Sequence, residues 1–229
     1  MSTETLSPKA TVIFDFDSTL IQDESLEVIL ANKLEDAPEK VTQISDITEK
    51  GMNGELGFFE SLTQRMEIVL PHRNDIQNFA RNHCPSAFSN GIPELIRALH
   101  KNNVDVWILS GGFEDAIQPF AYYLNIPQEK VHAVQVHWYQ DGYFKSLNKD
   151  NSFAISKLAG AVELHRQWHS PTVIVGDGFT DYMLYKEGLA DHFIAYTEHA
   201  SREKVNEVAT HSAASAQELS LKLKELLHL

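Results

Sequence analysis

Asp15 and Asp17 stand two positions apart directly behind an apolar, β-branched run, Thr11-Val12-Ile13-Phe14, and are followed by Ser18 and Thr19. One aspartate there would need no account beyond a turn or a helix cap, because its side chain bonds nearby backbone N–H groups. Two acids at i and i+2 leave a strand in the same direction. Like charges held that close repel unless a cation sits between or beside them. Two more carboxylates follow a second apolar run, Thr172–Val175, in Gly176-Asp177-Gly178-Phe179-Thr180-Asp181. A third run, Val104–Leu109, leads into Ser110-Gly111-Gly112. A hydroxyl with glycine-rich backbone can cradle an anion. Asp15, Asp17 and Asp177 suit a hard divalent cation such as Mg²⁺, which takes oxygen ligands and uses one or two carboxylates plus substrate phosphate. A lysine is then expected nearby for the remaining phosphate oxygens. Lys157 lies 20 residues before Asp177 and opens a helical pattern; Lys149 is its rival.

The elements that must position these residues are legible too. Thr11–Phe14, Val104–Leu109, Thr172–Val175 and His192–Tyr196 are near-continuous apolar runs, as in a parallel sheet covered on both faces. Helical patterns alternate with them. Ile92, Leu95, Ile96 and Leu99 follow Pro93 at helical spacing, and Ser215 and Glu218 open a last stripe of Leu219, Leu223, Leu226 and Leu227. This predicts a doubly wound α/β fold, with ligands bound outside the carboxyl ends of the strands. Residues 24–85 interrupt the alternation. Leu26, Ile29, Leu30 and Leu34 form one helical stripe, and Leu56, Phe59, Leu62, Met66 and Leu70 another, with no strand between. The expected organisation is a core of residues 1–23 and 86–229 with a helical cap, 24–85, inserted after the first strand. A hairpin is expected over 131–147, turning at Asp141-Gly142.

Composition narrows the function classes. The net charge is −13 and no basic patch is visible, which argues against a nucleic-acid partner. No run approaches 18 apolar residues, so no membrane span is expected. The one cysteine, Cys84, allows no intrachain disulfide and fits a reducing compartment. MSTETLSPKA has no apolar core of a signal peptide, so the expected location is cytoplasmic. His165 and His169 have the spacing of a metal pair but no third ligand nearby.

DFDST, SGG, Lys157 and GDGFTD, in that order at strand ends, resemble the four motifs of the haloacid dehalogenase superfamily of phosphotransferases. The match covers residues 11–23 and 86–200. The insertion is similar to the cap of the phosphoserine phosphatase family within it. That resemblance implies a Rossmann-like core in which Asp15 is the nucleophile and forms an aspartyl-phosphate, and Asp17 is acid and then base. Mg²⁺ would be held by Asp15, the Asp17 main-chain carbonyl and Asp177, with Asp181 orienting the metal shell and Lys157. Ser110, Gly111 and Lys157 would stabilise the phosphoryl oxygens. Glu24 matches the glutamate that meets a substrate ammonium, and Met52, Phe58 and Arg65 match the cap residues around the substrate, the arginine binding its carboxylate. Thr180 stands where the family often has Asn, and Phe179 is bulkier than the usual residue before it. The implied reaction is Mg²⁺-dependent hydrolysis of L-phosphoserine, the last step of serine synthesis. The alternatives are phosphoethanolamine, phosphocholine, or transfer to an alcohol such as homoserine.

Overall fold

The computed structural model describes residues 7–35, 37–52 and 55–229, and of Asn32, Glu49, Gly51 and Met52 only the backbone. The strands are β1 (Ala10–Phe14), β2 (Val104–Phe113), β3 (Val131–Val134), β4 (Val136–Trp138), β5 (Phe144–Leu147), β6 (Thr172–Gly176), β7 (His192–Tyr196) and β8 (His211–Ala213). Six of them form one sheet in the order β3-β2-β1-β6-β7-β8, every neighbouring pair parallel. β1 is buried at every position because it is central and covered on both faces. Val12 and Phe14 face one apolar cluster, and Ile13 the other, as the two-residue period of a strand requires. Each fully buried side chain of this size contributes roughly 1.5–3 kcal/mol.

Helices cover both faces. α5 (Ile92–Lys101), α6 (Glu114–Tyr123) and α10 (Ala216–Leu227) pack on the Val12 side, and α7 (Lys157–Leu164), α8 (Phe179–Lys186) and α9 (Glu203–Asn206) on the Ile13 side. Four more helices lie between β1 and β2: α1 (Ser25–Leu34), α2 (Pro38–Met52), α3 (Phe58–Val69) and α4 (Arg73–His83). The chain leaves and returns side by side, with the Gln22 N–H donating to the Ala87 carbonyl at 3.0 Å and the Ser89 N–H to the Leu20 carbonyl at 2.9 Å. Ile29, Leu30, Leu62, Met66, Ile76 and Phe79 carry the sheet's apolar cluster into the insertion. No helix of the described residues is long and apolar enough to cross a membrane.

Two segments differ from expectation. Of the stretch 131–147, Val131–Val134 pairs in parallel with β2, and only β4 and β5 form the hairpin. The run VHAVQVHWY is apolar at most positions on both sides of Gln135, and that one polar residue, where the chain leaves the sheet, carries no turn signal. Ser110–Gly112 lies inside the end of β2, at a register shift between Leu109 and Phe113, rather than in a loop beyond it.

Candidate active site

Asp15 ends β1, between the ends of β2 and β6. Its Oδ1 accepts the Phe16 N–H at 2.7 Å, and its own N–H donates to the Val175 carbonyl at 2.9 Å. The chain then turns sharply, with Ser18 in the left-handed region at φ 50°. That turn sends Asp17 toward the insertion, where its Oδ1 accepts the Ser25 N–H at the start of α1 at 2.8 Å. Its Oδ2 lies 3.1 Å from where a Cβ on Gly112 would stand, so a side chain there would crowd it. Burial pushes the Asp17 carboxyl up to about 7, with the Asp15 charge adding to the shift.

Lys157 is buried at the start of α7, whose N-cap Ser156 accepts the Ala159 N–H at 3.0 Å. Its ammonium lies 2.9 Å from Asp15 Oδ2 and 2.6 Å from Asp181 Oδ1. Burial opposes that charge, but Asp15 and Asp181 outweigh it, so the lysine holds its proton more tightly than a free one. Lys149 is elsewhere, its ammonium 5.8 Å from the centre of the Phe59 ring. Asp181 Oδ2 accepts the Gly178 N–H at 3.1 Å. A Cβ on Gly176 would sit 2.3 Å from the Asp181 carboxyl, so only glycine lets that carboxylate lie under the end of β6.

Sequence reasoning missed Arg202. Its Nε and Nη2 both lie 2.8 Å from Asp177 Oδ2, and Nη2 is 3.5 Å from Glu24 Oε1. It sits beyond the end of β7, on the same sheet edge as the other site residues, and the segment after that fourth strand would have pointed to it. Glu24 also accepts the Ser18 hydroxyl at 2.9 Å. Ser110 is buried and its Oγ accepts the Gly112 N–H at 2.9 Å, leaving the hydroxyl proton to donate. The Phe58 ring lies over Gly111, 3.5 Å from where its Cβ would be. Arg65 is half-buried on the same helix and donates from Nε to the Ser61 carbonyl at 3.4 Å; burial works against its charge and Glu27 supports it. Thr180 is exposed in the first turn of α8, beside Gly178. The Phe179 ring is exposed and tilts against Tyr182 at 5.4 Å. The Met52 side chain lies outside the described residues.

Asp15, Asp177 and Asp181 each bring a carboxylate oxygen within 4.8 Å of the others. Lys157 and Arg202 touch this trio, yet burial and the Asp15 charge still push Asp177 and Asp181 upward. The residual negative charge and the all-oxygen donor set fit a hard divalent cation. The Asp17 carboxylate is outside the trio, engaged by Ser25.

The raised Asp17 has a stability consequence. The folded state binds its proton more tightly than the unfolded chain, so stability is fullest near pH 4 and falls as pH rises through about 7. Asp17→Asn keeps the acceptor for Ser25 and removes the buried charge. With chelator present, the variant is expected to be more stable than the parent at pH 8, by roughly 1–3 kcal/mol, and to approach it only as the pH falls to about 4. A stability difference that is the same at pH 8 and near pH 4 would refute this.

Residues 9–187 match the family model described as haloacid dehalogenase-like hydrolase. The chain is 34% identical to the phosphoserine phosphatase of Bos taurus, over 86% of each protein. It is 31% identical to the chloroplastic phosphoserine phosphatase of Arabidopsis thaliana, over 95% of this chain and 70% of that one. Among solved structures, a phosphoserine phosphohydrolase-like protein from Francisella tularensis superposes with a TM-score of 0.86 at 42% identity, covering 93% of this chain and 99% of that one. The parallel sheet with carboxylates gathered at one end is an α/β architecture, and the family match makes it a hydrolase. The chain belongs to the haloacid dehalogenase-like hydrolase family.

Proposed function

We propose that this hydrolase acts on phosphoric monoesters, that its substrate is L-phosphoserine, and that it works with Mg²⁺ through an aspartyl-phosphate on Asp15. One observation carries the mechanism: two carboxylates two residues apart have unlike surroundings. Asp15 faces the Lys157 ammonium, whereas Asp17 is buried and pushed up to about 7. Environments that separate two acids assign them different tasks. An Asp15 oxygen attacks phosphorus and the bond to the serine oxygen breaks. Asp17 gives that oxygen its proton, then takes one from the water that hydrolyses the aspartyl-phosphate. The Lys157 ammonium, the Ser110 hydroxyl and the Gly111 N–H stabilise the phosphoryl oxygens, and Asp181 holds Lys157 in place. Asp15, Asp177 and the Asp17 main-chain carbonyl would hold Mg²⁺, which neutralises phosphoryl charge.

Residues 24–85 act as the cap in this reading, over a core of 1–23 and 86–229. Glu24 takes the substrate ammonium in competition with Arg202, and Arg65 takes the carboxylate as a two-pronged donor. Phe58, Met52 and Thr180 complete the substrate side. The names of the relatives support phosphoserine; a cytoplasmic setting is the reading of the sequence alone.

The deciding experiment compares kcat/KM for L-phosphoserine and phosphoethanolamine, with Mg²⁺ and with chelator. A preference for phosphoserine of about two decades or more is expected, with turnover lost in chelator. Metal-dependent turnover without preference would overturn the substrate and leave the phosphatase chemistry standing. Turnover that survives chelation would overturn the metal.

A further inference from the structure

The β4–β5 hairpin and the helical insertion are far apart in the chain, yet they are joined backbone to backbone. The Arg73 N–H donates to the Gly142 carbonyl at 2.8 Å, and the Phe144 N–H to the Pro71 carbonyl at 2.9 Å. His72 and Tyr143 thereby form an antiparallel bridge, and residues 71–73 lie along the hairpin edge like a short third strand.

His72 fastens both sides at once. Its Nδ1 accepts the Asn74 N–H at 3.0 Å, capping α4, and its Nε2 meets the Asp141 carbonyl at 2.8 Å. A carbonyl only accepts, so Nε2 carries the proton and the ring's tautomer is fixed by its two partners. The imidazole also sets its edge against Tyr143, with ring centres 5.1 Å apart. Gly142 has φ +90°, and a Cβ there would stand 2.2 Å from His72 Nε2. No other residue type fits that turn while the contact is kept.

The join grips α3 at both ends. Pro71 and His72 follow directly behind its C-terminus. At its N-terminus the Lys149 ammonium, just past β5, lies over Phe59. Phe58, beside Phe59, lies over Gly111 of the anion cradle, and Arg65 lies two turns on along the same helix. The hairpin itself is tied to the core through Trp138, whose indole N–H donates to Asp115 Oδ2 of α6 at 3.3 Å, with the Arg73 guanidinium 5.9 Å above its ring.

We propose that the hairpin is a clasp on the insertion, and that His72 and Gly142 are positioning residues that act through α3 to set Phe58 and Arg65 over the site. The inference rests on the reading of α3 as the substrate-facing helix. Neither residue touches substrate; they fix where the selecting side chains stand.

His72→Asn tests it cleanly, because asparagine still caps a helix but is too short to reach Asp141. Hydrogen exchange at the Arg73 and Phe144 amides is expected to quicken at least about tenfold, with the α3 amides following and those of β1 and β2 unchanged. KM for phosphoserine is expected to rise about tenfold with kcat within about threefold, while kcat/KM for phenyl phosphate, which has no carboxylate or ammonium, stays within about twofold. Gly142→Ala breaks the clasp from the other side and is expected to give the same pattern. Unchanged exchange in α3 would overturn the clasp, and equal losses on both esters would reduce it to a structural strut. Failure of the substrate reading shows separately, as a parent enzyme that does not prefer phosphoserine over phenyl phosphate.

Discussion

Asp15→Asn is expected to leave a folded protein whose kcat is lower by roughly three decades or more, the scale seen when a covalent nucleophile is removed. The substitution is nearly isosteric. The amide oxygen still accepts the Phe16 N–H, which Asp15 now does at 2.7 Å. Lys157 keeps Asp181 at 2.6 Å, so its buried charge is not left alone. What disappears is the anionic oxygen that, in the proposed mechanism, attacks phosphorus, and an amide does not replace it. Lys157 also loses one of its two carboxylates, which weakens the hold on the transferred group. Steady-state turnover, trapping of a phosphorylated protein and denaturant unfolding together check the claim. Activity above about a tenth of the parent's, in a variant with an unchanged unfolding midpoint, would falsify the assignment of Asp15 as nucleophile.

Arg65→Ala is expected to lower kcat/KM for phosphoserine by roughly 30- to 1000-fold, the equivalent of about 2–4 kcal/mol for truncating one partner of a desolvated charge pair. Phosphoethanolamine, which lacks only the carboxylate, should change by less than about threefold. The prediction follows from where the arginine is held. It is half-buried, its charge is disfavoured by that burial, and Glu27 gives it only partial support. A substrate carboxylate would complete the pairing with a planar two-pronged donor that lysine cannot match. Losses of similar size on both esters would remove Arg65 from substrate selection.

Much of this architecture was written in local patterns. β1, β6 and β7 coincide with apolar runs to within a residue, because strands buried on both faces have no polar positions to blur their limits. β8 was not legible: His211–Ala213 is short and lies at the sheet edge, where burial does not dictate residue type. At the site, Asp15 and Asp177 follow strands, Ser110 lies inside the end of one, Lys157 opens a helix and Asp181 lies in the first turn of another, so reading the strand ends and the helix that returns to the sheet picked out residues that the fold brings together. Arg202 belongs to no motif and no stripe. Its place behind β7 could be read from the sequence, but that this loop returns to Asp177 is displayed only by the folded chain. The same holds for Glu24, which the resemblance matches to a glutamate that meets a substrate ammonium but which lies against Ser18 and Arg202. Gly142 was visible only as a turn residue and His72 carried no signal; that they meet is a fact of tertiary structure.

The order of strands in the sheet also bears on how the enzyme comes into being. β1 leaves the ribosome early, but its first partner begins at Val104 and its second at Thr172. At about 5–20 residues per second, a fully apolar strand waits on the order of ten seconds for its first neighbour and longer for its second. Throughout that wait Asp15 and Asp17 have neither Lys157 nor Arg202 beside them. A nascent chain therefore carries an apolar strand bare, and Asp15 uncompensated, until Lys157 and the strand that begins at Thr172 have been made. Under the proposed mechanism no turnover is expected before Lys157 and Asp177 join Asp15, so chains stalled ahead of them should be inert.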